Sequence, residues 1–154
     1  MSDTTATGAA TGPSFLLRTQ YIKDLSFENP QAPDIYRTLN KPPEVTVNID
    51  VSSRPLAATD DYEIVMSIAA TAKADGKDVF VVELTFGAVF QVAGFPADAM
   101  QPLLLIEIPR LMFPFARNIV AEVTRDSGFP PLLIHPVDFV AMYRQKFEAP
   151  AGQA

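Results

Sequence analysis

The stretch from Val79 to Val92, VFVVELTFGAVFQV, constrains the fold of this chain more than any other. Every even position is apolar: Phe80, Val82, Leu84, Phe86, Ala88, Phe90 and Val92. Successive side chains of a strand point to opposite faces, so the spacing predicts one long strand with a continuous apolar face. The odd face holds Val79, Val81, Glu83, Thr85, Gly87, Val89 and Gln91, a mixed set with one carboxylate. Strands usually run about 5–6 residues, and one this long asks for more cover than a single small layer of helices offers. The even face is therefore expected to act as core and, in part, as a subunit contact, and the odd face as a docking surface.

The flanking sequence supplies the rest of a sheet. Phe15–Phe27 alternates, with Phe15, Leu17, Thr19, Tyr21, Lys23, Leu25 and Phe27 on the drier side and Arg18, Gln20, Asp24, Ser26 and Glu28 on the wet side. Glu44–Val51 sets Val45, Val47, Ile49 and Val51 against Glu44, Thr46, Asn48 and Asp50. Tyr62–Ala72 is a third strand, and Asp75-Gly76 is the turn of a hairpin joining it to the long strand. Between the first two strands, Asn29–Pro43 carries prolines at 30, 33, 42 and 43, which fix φ and remove ladder donors, so it reads as a crossover connection. Gly94–Pro109 is bracketed by prolines and reads as one or two helical turns. Arg110–Arg125 is an amphipathic helix with Met112, Phe115, Ile119 and Val123 inward, and Pro136–Phe147 a second one with Asp138 in its first turn. Strands followed by helices imply an α+β fold: a four-stranded antiparallel Greek-key sheet with a proline-rich crossover loop, the first strand beside the fourth, followed by two main helices. Residues 1–13 and 148–154 read as flexible tails around a single domain, 14–147.

Composition removes whole classes of chemistry. With 12 basic and 18 acidic residues the chain lacks the basic footprint of a nucleic-acid binder. It has no cysteine and one histidine, His135, so thiolate nucleophiles, disulfides and a histidine-rich metal site are excluded. His135 stands before Pro136 at a helix entry, and Asp60-Asp61 lies in a turn, where paired acids are normally just solvated; neither supports an active site. Neither a secretory signal nor an apolar run long enough to span a membrane is present, so a cytoplasmic protein is expected, with no membrane insertion, no metal and no cofactor. Asp24, Glu28 and Glu83 fall on the polar sides of neighbouring strands with Val81 between them, a pattern suited to a basic peptide. The surplus of apolar residues points to oligomerisation and an exposed apolar groove.

Three segments, YIKDLSFENPQAPDIY at 21–36, FVVELTFGAVFQVAG at 80–94 and LMFPFARNIVAEVTRDSGFPPLLIHPVDF at 111–139, together resemble the SecB family of bacterial protein-export chaperones. The resemblance runs over about Phe15–Phe147. It implies a homotetramer, a dimer of dimers, that binds unfolded precursor proteins without ATP and passes them to the SecA ATPase. It also implies that the zinc-binding C-terminal segment of SecA docks on Asp24, Glu28, Val81 and Glu83, the zinc being the partner's. The implied client groove is lined by Tyr36 and Leu39, by Val45, Val47 and Ile49, and by Met142 and Tyr143. Many relatives carry a tryptophan near Leu39-Asn40, and this chain has none. Two alternatives stand beside the export reading: a SecB-like chaperone with a dedicated, toxin–antitoxin-linked client, and a small α+β enzyme.

Overall fold

The structure is a computed structural model and describes residues 12–58 and 60–147. Strand β1 spans Ser14–Glu28, and the connection after it holds a single turn of helix, α1, at Ile35–Thr38. Strands β2 (Glu44–Pro55), β3 (Asp61–Ala74) and β4 (Lys77–Ala93) follow as a meander. The sheet order is β1-β4-β3-β2, all antiparallel, so β1 lies beside β4 as the crossover reading requires. Asp75 and Gly76 turn the β3–β4 hairpin with φ of 52° and 76°, the left-handed pair that a two-residue primed turn needs. All the strands are longer than their alternation alone indicated. Of the expected flexible tails, 1–13 and 148–154, residues 1–11 and 148–154 lie outside the described residues.

The helical layer differs from expectation. Ala97–Pro102 (α2), a π-helical segment at Leu103–Glu107 and Ile108–Asp126 (α3) follow one another without a break. Prolines at 102 and 109, expected to interrupt the chain, are absorbed instead. Proline removes a helical donor, and wider π-type pairing, such as the Ile108 N–H to Leu103 carbonyl bond, re-registers the turns around it. The buried stripe of α3 is Pro109, Met112, Phe113, Ala116, Val120 and Thr124, which leaves Phe115 outside with Leu111, each about half exposed (51% and 50%). The helix stops at Gly128, φ 89°, where the Gly128 N–H bonds the Arg125 carbonyl and the Phe129 N–H bonds the Thr124 carbonyl. Helix α4 begins at Phe139, three residues later than the proline suggested. Asp138 therefore caps it from outside, its Oδ1 accepting the Ala141 N–H at 3.0 Å.

The even face of β4 is buried within this single chain from Phe80 to Val92, against the inward residues of β3 and the helical layer. The expectation that this face serves partly as a subunit contact is thus corrected. The long helical run supplies the missing cover. Uncovered apolar surface lies on β1 instead: Phe15, Leu17, Ile22 and Leu25 are 40%, 43%, 49% and 37% exposed.

Candidate functional site

The phase of β1 decides what the outer sheet face displays. Paired residues of antiparallel strands share a face, and β1 shifts register against β4 between Leu17 and Thr19 and again between Ile22 and Asp24. Arg18 and Lys23 are the extra residues. Phe15 and Leu17 lie on the helix side, then Gln20 and Ile22, then Leu25 and Phe27, as their β4 partners Val92, Phe90, Ala88, Phe86, Leu84 and Val82 show. The simple odd–even reading of β1 is therefore wrong for its middle: Thr19 and Tyr21 face outward. A third shift at the start of β4 leaves Val79 unpaired with β3, and this odd residue is buried rather than outward.

After the second shift the outward set is Asp24, Ser26 and Glu28, opposite Thr85, Glu83 and Val81. The four residues Asp24, Glu28, Val81 and Glu83 thus lie on one face of two adjacent strands. Ser26 sits between the first two and directly across from Glu83. The three carboxylates are exposed and Val81 is half-buried. Among the described residues none of the three is ion-paired, whereas two other outward acids are: Asp61 with Arg18 at 2.9 Å, and Glu63 with Lys23 at 3.0 Å and Arg54 at 2.9 Å. A patch of unpaired acids beside a small apolar side chain can take a basic peptide without first breaking native ion pairs.

Glu63 is 5% exposed although it lies on the outer face. The Tyr21 ring crosses over Gly87, where a Cβ would stand 2.7 Å from the ring, and its hydroxyl donates to Glu63 Oε2. Lys23 Nζ donates to both carboxylate oxygens, at 3.0 and 3.1 Å, and Arg54 Nε to Oε1 at 2.9 Å. The Tyr21 hydroxyl, with Arg54 and Lys23 behind it, holds the Glu63 carboxyl down at about 2 against the opposing effect of burial. Burial, and then the Glu63 charge, push the Tyr21 phenol up to about 12. Sequence reasoning missed this cluster. The available signals were Ile22, an apolar residue out of phase with its neighbours, and a glycine in the middle of a strand.

The opposite face carries an open apolar groove of about 480 Å³. Val45, Val47 and Ile49 of β2 form one wall, and Met142 of α4 contributes from above. The other wall is the extended stretch before α4, with Leu132, Leu133, Ile134, His135 and Val137. No periodicity marks that stretch in the sequence. It is fastened by Thr124, fully buried in α3, whose Oγ1 accepts the Leu132 N–H at 2.8 Å and donates to the Val120 and Ala121 carbonyls at 3.0 Å. Other expected groove residues lie elsewhere. Tyr36 packs on Phe129 and Gly128, donates to the Ser127 carbonyl at 2.6 Å and accepts from Asn29 at 2.6 Å, closing an aromatic row that runs through Phe80 to Phe27. Leu39 lines a separate cleft beside the β3–β4 hairpin. Tyr143 packs at a tilt against Phe147 and donates to Gln101 at 3.1 Å.

The model of the family described as preprotein translocase subunit SecB matches residues 8–150. The Protein-export protein SecB of Afipia carboxidovorans is 47% identical, over 99% of this chain and 96% of the relative. That of Rhodospirillum rubrum is 47% identical over 100% and 95%, and that of Sinorhizobium medicae 50% over 87% and 79%. Among solved structures, the SecB-like chaperone of Mycobacterium tuberculosis in complex with a ChAD peptide from the HigA1 antitoxin aligns with TM-score 0.67 at 14% identity, over 80% of this chain and 90% of that one, a likeness of fold. A near-complete family match, relatives of almost equal length at about half identity and the same α+β fold agree: the chain belongs to the SecB family.

Proposed function

We propose that the protein is an export chaperone that holds precursor proteins unfolded without ATP and delivers them to SecA. The observation that carries this reading is family membership along nearly the whole chain, joined to an apolar groove on one sheet face and an unpaired acidic patch on the other. The groove of Val45, Val47, Ile49 and Met142 takes apolar stretches of an unfolded client, and binding the unfolded state opposes folding by mass action. Tyr36, Leu39 and Tyr143 lie outside this groove in the single chain and extend the client surface around it.

The working unit is a homotetramer in the cytoplasm, a dimer of dimers. The uncovered apolar residues Phe15, Leu17, Ile22 and Leu25 of β1, and Leu111 and Phe115 of α3, support burial between subunits. Several grooves on one particle add weak contacts along one client through high effective concentration, so tight binding needs no client motif. Asp24, Glu28, Val81 and Glu83 receive the basic, zinc-bearing C-terminal segment of SecA, with Val81 as the apolar contact.

Native mass spectrometry with an unfolded precursor tests the chaperone reading: a tetramer carrying about one client chain is expected, and a monomer without affinity for unfolded protein overturns it. Glu83→Lys tests the docking face. It is expected to keep client binding and lose affinity for SecA, and unchanged SecA affinity would remove the assignment.

A further inference from the structure

We propose that Glu63 is a positioning residue for the docking face: it fastens the β1 bulge at Lys23 and so keeps Asp24 in the sheet ladder, aimed outward. The proposal rests on the docking reading given above.

The apolar pattern of β1 demands a phase change. Ile22 and Leu25 are three apart, yet both face the helix side, opposite Phe86 and Leu84. Regular alternation cannot put residues three apart on one face, so one residue between them must leave the ladder, and the choice is between Lys23 and Asp24. If Asp24 were the extra residue, Lys23 would pair with Thr85 and the carboxylate would lose its fixed place beside Ser26 and Glu28. In the structure Lys23 is the extra residue and Asp24 pairs with Thr85.

The side chains show what makes that choice. Lys23 reaches across β4 to Glu63 of β3, and Tyr21, on the other side of Ile22, reaches the same carboxylate over Gly87. The bulge is thus gripped from both flanks by one nearly buried acid, which Arg54 of β2 completes from the far side. The first bulge repeats the device, its extra residue Arg18 reaching Asp61 of β3 at 2.9 Å. In both cases the residue expelled from the ladder is a cation, and a β3 carboxylate two strands away holds it. Asp24 itself has no such fastening among the described residues.

The test uses the full chain and a synthetic, zinc-loaded C-terminal segment of SecA. Glu63→Ala is expected to weaken segment binding by about tenfold while client binding stays. Deleting Lys23 removes the need for a bulge, since Ile22 and Asp24 then occupy successive ladder positions against Phe86 and Thr85. The deletion alone is expected to bind the segment like the parent, and Glu63→Ala combined with it to recover parental affinity. A general loss of fold at Glu63 would not be repaired by removing Lys23. Lys23→Gln in the Glu63→Ala background restores the net charge but keeps the extra residue, and it is expected to stay as weak as Glu63→Ala; recovery there as well would overturn the proposal. Parental binding by Glu63→Ala, or a combination of Glu63→Ala with the deletion that stays as weak as Glu63→Ala alone, overturns the proposal. Should Glu63→Ala lose client binding as well, Lys23→Ala takes its place, with a severalfold loss of segment affinity expected and parental affinity counting against the proposal. Amide exchange at Asp24 reads the bulge without any partner: faster in Glu63→Ala and slow again when Lys23 is also deleted. If Glu83→Lys binds the segment like the parent, the docking reading falls, and the exchange measurement still decides the bulge.

Discussion

Strand β2 pairs with β3 without one register shift from Glu44–Lys73 to Pro55–Tyr62, whereas β1 changes phase twice against β4. Both are edge strands, and both carry apolar residues toward the helix side. The β2 residues Val45, Val47 and Ile49 meet a wall made by the chain's own extended stretch and α4, so they border a groove. Of those on β1, Phe27 packs on Phe80, while Phe15, Leu17, Ile22 and Leu25 stay more than a third exposed. Regular backbone and local cover go together at one edge; bulges, ionic fasteners and uncovered apolar surface go together at the other. Bulges twist and bend an edge, and here they coincide with apolar residues that the chain's own helices leave uncovered. The order of β1 is therefore held by side chains reaching to β3, and that of β2 by its ladder and the elements packed on it.

This difference is broken most forcibly at Glu63. Glu63→Ala leaves Lys23, Arg54 and the Tyr21 hydroxyl without their shared acceptor. Lys23 and Arg54 stay solvent-accessible without it, so the cost is that of the charge-assisted hydrogen bonds to one nearly buried carboxylate, about 2–3 kcal/mol, read as a drop in the urea midpoint. The matching change on the other edge, Asp50→Ala, removes an exposed acid 3.4 Å from Lys146 and is expected to cost within about 0.5 kcal/mol. Equal costs at the two edges would mean that β1 does not depend on its fasteners.

Acid and base probe the same asymmetry. The Glu63 carboxyl is held at about 2 in the fold against an ordinary 4.5. Its depressed value makes its stabilisation complete above pH 4.5 and progressively lost as the pH falls toward 2. The Tyr21 phenol is raised from 10.0 to about 12, so its contribution is complete below pH 10.0 and lost as the pH rises toward 12. The parent should therefore hold a flat stability advantage over Glu63→Gln between these limits and lose on the order of 2–3 kcal/mol of it at the acid end. Unfolding titrations of the two proteins across pH check this. An advantage that stays unchanged down to pH 2 would show that the folded carboxyl is not depressed.

The same contrast explains what could be read from the residues alone. Alternation in β2, β3 and β4 and the Asp75-Gly76 turn carried the meander, because a covered, regular sheet writes its faces into the sequence with period two. Alternation puts Asp24 and Glu28 outward, where the structure has them, yet it puts the middle of the same strand on the wrong face. Two bulges cancel each other in parity, so the ends of β1 look regular while Thr19 and Tyr21 are inverted. The groove was half legible. Val45, Val47 and Ile49 alternate, but Leu132–Val137 is extended chain positioned by a buried Thr124 hydroxyl, and neither fact leaves a periodic trace. The helix running through Pro102 and Pro109 was hidden because proline ordinarily ends a helix, and the π-helical turn that admits it is decided by packing.

A smaller change sharpens the comparison at the crossing of Tyr21 over β4. A methyl group at Gly87 would stand 2.7 Å from the Tyr21 ring and lift the hydroxyl off Glu63. Gly87→Ala should cost about 1–3 kcal/mol, in the range of overpacking. In a Tyr21→Ala background the same substitution should cost almost nothing, because the clash and the hydrogen bond have both gone. Thermal unfolding of the double-mutant cycle reads the coupling. Additive effects would mean that the glycine serves the backbone and not the ring.

A modest and local effect is expected at the other edge, at Asp138. Its Oδ1 accepts the Ala141 N–H at 3.0 Å at the start of α4, the helix that carries Met142 over Val45, Val47 and Ile49. Replacing an acidic N-cap by alanine costs about 1 kcal/mol, and here the loss stays local because β2 keeps its uninterrupted ladder to β3. Asp138→Ala should therefore lower the melting temperature slightly while speeding amide exchange through the first turn of α4, with exchange across β2 unchanged. Client binding should weaken to the extent that Met142 is displaced, and a Met142→Ala variant should show little further loss when Asp138→Ala is added. If the Asp138 change instead loosened β2, the two edges would share one mode of support, because the β2 ladder would then lean on α4 as β1 leans on Glu63.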